Sequence, residues 1–144
     1  MNKDTIIVYY SKTGNVKEMA GELAIERNAD IFEIDDLVNR EGFWGFAKSG
    51  YQALRKKSTP IAHINIDLSK YTTVIVCGPV WAGNIAPPIR TFLKDYAGKF
   101  ERIEYVLMHA DKKNKYENLF KEMNAITGKE NSGTVSLAQG EKLS

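Results

Sequence analysis

The sequence predicts an α/β protein built on a doubly wound parallel sheet. Three observations carry that expectation. Short β-branched and aromatic runs alternate with stretches of helical periodicity, the run Val74-Ile75-Val76-Cys77 is apolar enough for burial on both faces, and the runs ending at Tyr10 and Cys77 both break into loops of glycine and small polar residues. At 144 residues the chain reads as a single domain, 1–144, able to bury about two thirds of its unfolded surface. No repeat or low-complexity linker divides it.

The elements follow in order. Ile6 to Tyr10 is the first strand, and Ser11-Lys12-Thr13-Gly14-Asn15-Val16 is the turn that leaves it. Val16, Met19, Ala20, Leu23 and Ala24 then recur at i, i+3, i+4, i+7 and i+8, which predicts a one-faced helix ending near Asn28. Asp30 to Asp35 alternates as a second strand, and a strand, helix, strand series with short links implies a parallel, right-handed pair. Gly42-Phe43-Trp44-Gly45-Phe46, running into Ala47, Gly50, Tyr51 and Leu54, predicts a helix that packs its aromatics on the sheet. The alternative is that Trp44 or Tyr51 reaches the edge of a ligand. Arg55-Lys56-Lys57 reads as its solvated end.

Tyr71 to Cys77 is the third strand, followed by a long loop from Gly78 to Pro88 and a helix striped by Ile89, Phe92, Leu93 and Tyr96. Ile103 to Met108 is the fourth strand. Tyr116, Leu119, Phe120 and Met123 mark a helix stopped by Gly128, and Thr134 to Leu137 is a short fifth strand.

Twenty basic against eighteen acidic residues leave a net charge of +2, too even a balance for nucleic acid or an anionic membrane to be the main partner. No leader and no apolar run of membrane-spanning length is visible, so a soluble, cytoplasmic protein is expected. Cys77 has no disulfide partner and lies in an apolar run, where a small buried hydrophobe is expected rather than a reactive thiol. A nucleotide-hydrolysing P-loop is absent. A cysteine phosphatase would need arginine where Gly83 stands, and a phospho-receiver would need acids where Tyr10 and Gly78 stand. His63 and His109 have no ligand partners at metal-site spacing.

What remains is the carboxyl edge of the sheet. Backbone N–H groups at a helix start bind anions, and Ser11, Thr13 and Asn15 add side-chain donors; taken alone their turn reads first as a plain capped turn, and the second loop makes it a phosphate cradle. Trp81, in a Gly-Pro-x-Trp-x-Gly loop, is poorly placed for the core and well placed to stack on a planar ring.

These motifs, together with Ala86-Pro87-Pro88-Ile89-Arg90-Thr91-Phe92, Ser49-Gly50-Tyr51 and Thr127-Gly128-Lys129, resemble the flavodoxin family, especially its small microbial flavodoxin-like members, from about Thr5 to Leu137. The resemblance implies a five-stranded parallel sheet of order 2-1-3-4-5 and an FMN-binding electron carrier that serves redox partner proteins. It gives the FMN phosphate to Ser11, Lys12, Thr13, Gly14, Asn15 and Val16, and borders the ring with Pro79, Val80, Trp81, Ala82, Gly83 and Asn84, Gly83 offering its carbonyl to the reduced ring. His109, Ala110 and Asp111 would form the third loop, with Asp111 and Tyr116 in the places of the family's acid and tyrosine.

The chain departs from the family in four ways. Val16 removes a hydroxyl from the phosphate site, and the third loop is bulky and basic, so that Lys112 or Lys113 beside the ring would raise the potential for forming anionic, fully reduced FMN. His109 is expected at the surface. The net charge is positive where flavodoxins are strongly acidic. Gln139 to Ser144 is too short for a closing C-terminal helix, which predicts a homodimer through the uncovered sheet face or a shortened chain. Two other readings stay open: an FMN-dependent NAD(P)H or quinone oxidoreductase, and a protein of this fold that has lost FMN and acts as a binding module.

Overall fold

A computed structural model describes residues 3–110 and 116–139. In chain order the elements are β1 (Thr5–Tyr9), α1 (Asn15–Arg27), β2 (Asp30–Glu33), α2 (Gly42–Leu54), β3 (Thr73–Trp81), β4 (Asn84–Ile85), α3 (Pro87–Tyr96), β5 (Arg102–His109), α4 (Glu117–Thr127) and β6 (Gly133–Ala138). The main sheet runs β2-β1-β3-β5-β6 with every pair parallel, and β4 folds back antiparallel on β3. Without that short hairpin strand the order is 2-1-3-4-5, as the resemblance implied.

Alternation along the strands divides the core. Val8, Val76, Tyr105 and Leu107 pack with Phe92 and Leu93 of α3 and Leu119, Phe120 and Met123 of α4. Ile7, Ile75, Cys77 and Val106 pack with Val16, Met19, Ala20 and Leu23 of α1, the stripe predicted from its spacing. On the α1 face Val135 of β6 is 40% exposed, whereas Val106 and Leu137 are buried. Cys77 is fully buried, and burial pushes its thiol pKa far up. Asn28 and Gly128 end α1 and α4 in the left-handed conformation. Among the described residues, no helix is long and apolar enough to cross a membrane.

Two elements differ from the sequence reading. The third strand does not stop at Cys77: it continues through Gly78-Pro79-Val80-Trp81 and returns as β4, so the expected long loop is mostly a hairpin. Proline is tolerated because of the pleat. Cys77 offers its carbonyl to Tyr10 N–H on the β1 side, so the Pro79 nitrogen faces that side too, where β1 has already ended and no ladder bond is lost.

The second correction concerns α2, where the large residues whose side chains are described do not pack on the sheet. Trp44, Phe46, Tyr51 and Leu54 are all exposed, and the buried stripe is Gly45, Ser49 and Ala53, at i, i+4 and i+8. Small residues are needed there. A Cβ on Gly45 would lie 2.1 Å from the backbone carbonyl carbon of Arg40, so only glycine lets the helix seat against the segment that leads into it.

Candidate functional site

The turn after β1 presents an open helix start. Gly14, with φ +96°, is the residue before the first turn of α1, and its N–H donates to Ser11 Oγ at 3.1 Å. The first helical bond runs from Glu18 N–H to Gly14 O. The N–H groups of Asn15, Val16 and Lys17 therefore have no acceptor within the helix, and no side chain caps this end. These donors and the helix dipole favour an anion. Lys12 and Thr13 are exposed beside them, while Val16 is buried and forms floor rather than rim.

The opposite wall is the hairpin of β3 and β4. Ala82 and Gly83 form its turn, both with positive φ, as a two-residue turn matched to strand twist requires. Asn84 closes the turn, its side-chain amide donating to Ala82 O at 3.3 Å. This geometry carries Trp81 to the end of β3, half-buried, with its ring 5.7 Å from that of Tyr10 in an edge arrangement.

Behind Trp81 lies a buried polar network that the sequence reading missed. The Arg40 guanidinium stands over the indole at 5.2 Å from its centroid. Its Nε donates to Asp36 in an ion pair whose side chains are only 4% and 8% exposed. Its other nitrogens donate to Ser49 Oγ at 3.1 Å, Gln52 Oε1 at 2.8 Å and Thr59 Oγ1 at 3.1 Å. The Tyr10 hydroxyl donates to Asp36 at 2.9 Å, and burial together with the adjacent carboxylate pushes its pKa well up. One cation thus ties the segment after β2, the buried face of α2 and the Thr59 loop to the back of the tryptophan.

The two walls enclose a cleft of about 410 Å³ at the carboxyl ends of β1, β3 and β5. Ser11, Lys12, Thr13, Asn15 and Val16 line one side, and Pro79, Val80, Trp81 and Ala82 the other. Met108 and Gln139 lie between them, and Phe46, Ser49 and Gly50 of α2 add a lip that the sequence does not predict. Gly14, Gly83, Asn84, His109 and Ala110 do not line the cleft; Gly83 is exposed at the hairpin tip.

His109 is not at the surface as expected but 3% exposed. Strand alternation turns it to the face opposite Met108, where its Nε2 meets Ser136 Oγ at 2.7 Å and its ring packs on Tyr116 at 4.7 Å. Tyr116 belongs to that packing and not to the cleft. Asp111, Lys112 and Lys113 lie outside the described residues.

No protein-family model and no curated protein sequence matches the chain. Solved structures do. A flavoprotein from Lactobacillus acidophilus NCFM, crystallised in complex with FMN, is 24% identical over 94% of this chain and 93% of its own, with a TM-score of 0.78. The apo form of the flavoprotein from that organism, determined by NMR, is 25% identical over 98% and 95%, with a TM-score of 0.68. Oxidised flavodoxin 2 from Bacillus cereus is 15% identical over 97% and 88%, with a TM-score of 0.50.

Proposed function

For a chain that has the flavodoxin-like fold, we propose that the cleft binds FMN and that the protein carries electrons between redox partners. One observation carries the reading: an uncapped helix start and a half-buried tryptophan face each other across a single cleft. The donor chemistry fits the group. The Asn15, Val16 and Lys17 amides with the Ser11, Thr13 and Asn15 side chains would hold the phosphate, where Val16 costs one hydroxyl and the amides supply the rest.

Trp81 would hold the ring by offset stacking, backed by Arg40, while Met108 and Pro79 exclude water from the cleft floor. Bound there, FMN supplies reversible one-electron and two-electron reduction. The cleft, at about 410 Å³, falls within the range of ligand sites.

The test is redox stoichiometry. FMN-loaded protein, photoreduced without oxygen, is expected to pass single electrons to ferricyanide and to leave NADH and NADPH unoxidised in the presence of a quinone. Sustained NAD(P)H oxidation with a quinone would replace the carrier reading with the oxidoreductase.

A further inference from the structure

The cleft is not uniform in chemistry from one end to the other. Its floor crosses the carboxyl ends of three strands: Pro79 of β3 pairs with Met108 of β5, and Gln139 follows β6, its N–H donating to His109 O at 2.7 Å. At the β3 end Phe46 and Gly50 of α2 add apolar surface beside Val80, Trp81 and Ala82. Ser49 lies with them but is committed, its hydroxyl donating to Gly45 O at 2.7 Å and accepting from Arg40 at 3.1 Å. Among the described lining residues that leaves Gln139 as the hydrogen-bonding side chain outside the turn at 11–16, exposed at the β6 end.

A flavin ring has the same asymmetry. One end is a dimethylbenzene without a hydrogen-bonding atom, and the other is an imide, an N3–H donor flanked by two carbonyl acceptors. A carboxamide is complementary to that edge, because its oxygen accepts and its NH2 group donates from adjacent positions. We propose that Gln139 reads the imide edge of the bound flavin, accepting from N3–H and donating to one flanking carbonyl, so that the ring lies with its polar end toward β6 and its apolar end toward Phe46. This assignment rests on the FMN-binding part of the proposed function. An exposed glutamine is ordinarily solvated, but a ring laid over this one takes water from both partners, and each then supplies the hydrogen bonds that the other lacks.

The experiment compares FMN with 3-methyl-FMN, in which a methyl group replaces the N3 hydrogen, each titrated with the protein and followed by flavin fluorescence. The unaltered protein is expected to bind FMN about tenfold or more tighter than the methylated ring. Gln139→Leu should weaken FMN binding about tenfold and remove most of that preference. The ratio of FMN to riboflavin affinity, set at the phosphate turn, should stay as it was. Gln139→Glu keeps an acceptor, so it should keep the preference for FMN over 3-methyl-FMN. The side chain is exposed and outside the core, so both apo variants should unfold at the midpoint of the unaltered protein.

Equal affinity of the unaltered protein for the two flavins, or a preference that survives Gln139→Leu undiminished, would overturn the proposal. So would loss of the preference in Gln139→Glu, or a changed ratio of FMN to riboflavin affinity in Gln139→Leu. Failure of the unaltered protein to bind FMN at all takes away the cofactor reading and this assignment with it. Saturable FMN binding without the N3 preference removes this assignment alone, so the two failures are told apart.

Discussion

Arg40 gives the sharpest test of how the cleft wall is held. Replacing it with methionine keeps much of the side-chain length and removes the cation from Asp36, Ser49, Gln52, Thr59 and the Trp81 ring together. The Asp36 carboxylate, 8% exposed, keeps the Tyr10 hydroxyl and the Val38 N–H as donors. The expected cost is therefore near the low end for a broken buried pair, about 3 kcal/mol. For a chain of this size that lowers the midpoint of thermal unfolding by about 10 °C.

Urea unfolding followed by far-ultraviolet circular dichroism measures the loss. Tryptophan emission in the folded variant reports whether Trp81 has lost its prop. Asp36→Asn in the Arg40→Met background should recover part of the cost, because it removes the stranded charge. A single-variant loss below about 1 kcal/mol, the scale of an exposed pair, or strictly additive costs would refute the view that this network is a buried, coupled support.

Other substitutions and conditions test neighbouring steps. Gly45→Ala sets a Cβ against the Arg40 backbone, so a loss of about 1 to 3 kcal/mol is expected, with weaker FMN binding as Phe46, Ser49 and Gly50 shift; unchanged stability would contradict the seating of α2. Tyr9 is pushed up to about 12 by burial and the Glu33 carboxylate that accepts its hydroxyl, and Tyr71 to about 12 by its hydrogen bond to Asp30 and by burial. Since both stand above the unfolded value of 10.0, their stabilisation is complete below that pH and is lost as pH rises through the folded values. Phenolate absorbance should accordingly appear late in the native protein and at the ordinary pH in urea. Cys77, fully buried with its thiol pKa raised, should resist alkylation until the protein is unfolded.

Much of the scaffold was legible because periodicity reports burial directly. The spacing of Val16, Met19, Ala20 and Leu23 and the stop at Gly128 recur in the structure. The helix α2 departs from the sequence reading because side-chain size is a poor guide to packing there. In α2 the buried stripe is made of glycine, serine and alanine, and Trp44, Phe46 and Tyr51 are exposed.

Gly78-Pro79 reads as loop chemistry, and only the early end of β1 frees β3 to run through it. The site was half legible. Ser11, Lys12, Thr13, Asn15 and Val16 meet Pro79 to Ala82 across one cleft, whereas Arg40, in the polar stretch Asn39-Arg40-Glu41, has no sequence mark separating it from a solvated charge. The four-residue step from Asp36 to Arg40 was the one available signal, and it counts for little outside a helix. His109 lies one residue beyond the expected end of the fourth strand at Met108; since β5 runs through it, alternation sends its ring to the face of Tyr105 and Leu107.

In the proposed complex one cleft grips an anionic tail at the α1 amides and lays the Trp81 indole against a flavin ring. Titrating FMN with the purified protein while following flavin fluorescence tests it most directly. Quenching should be strong, saturate at a single equivalent and be largely lost in Trp81→Leu, whereas flavin emission unchanged at high protein concentration would rule out stacking in this cleft.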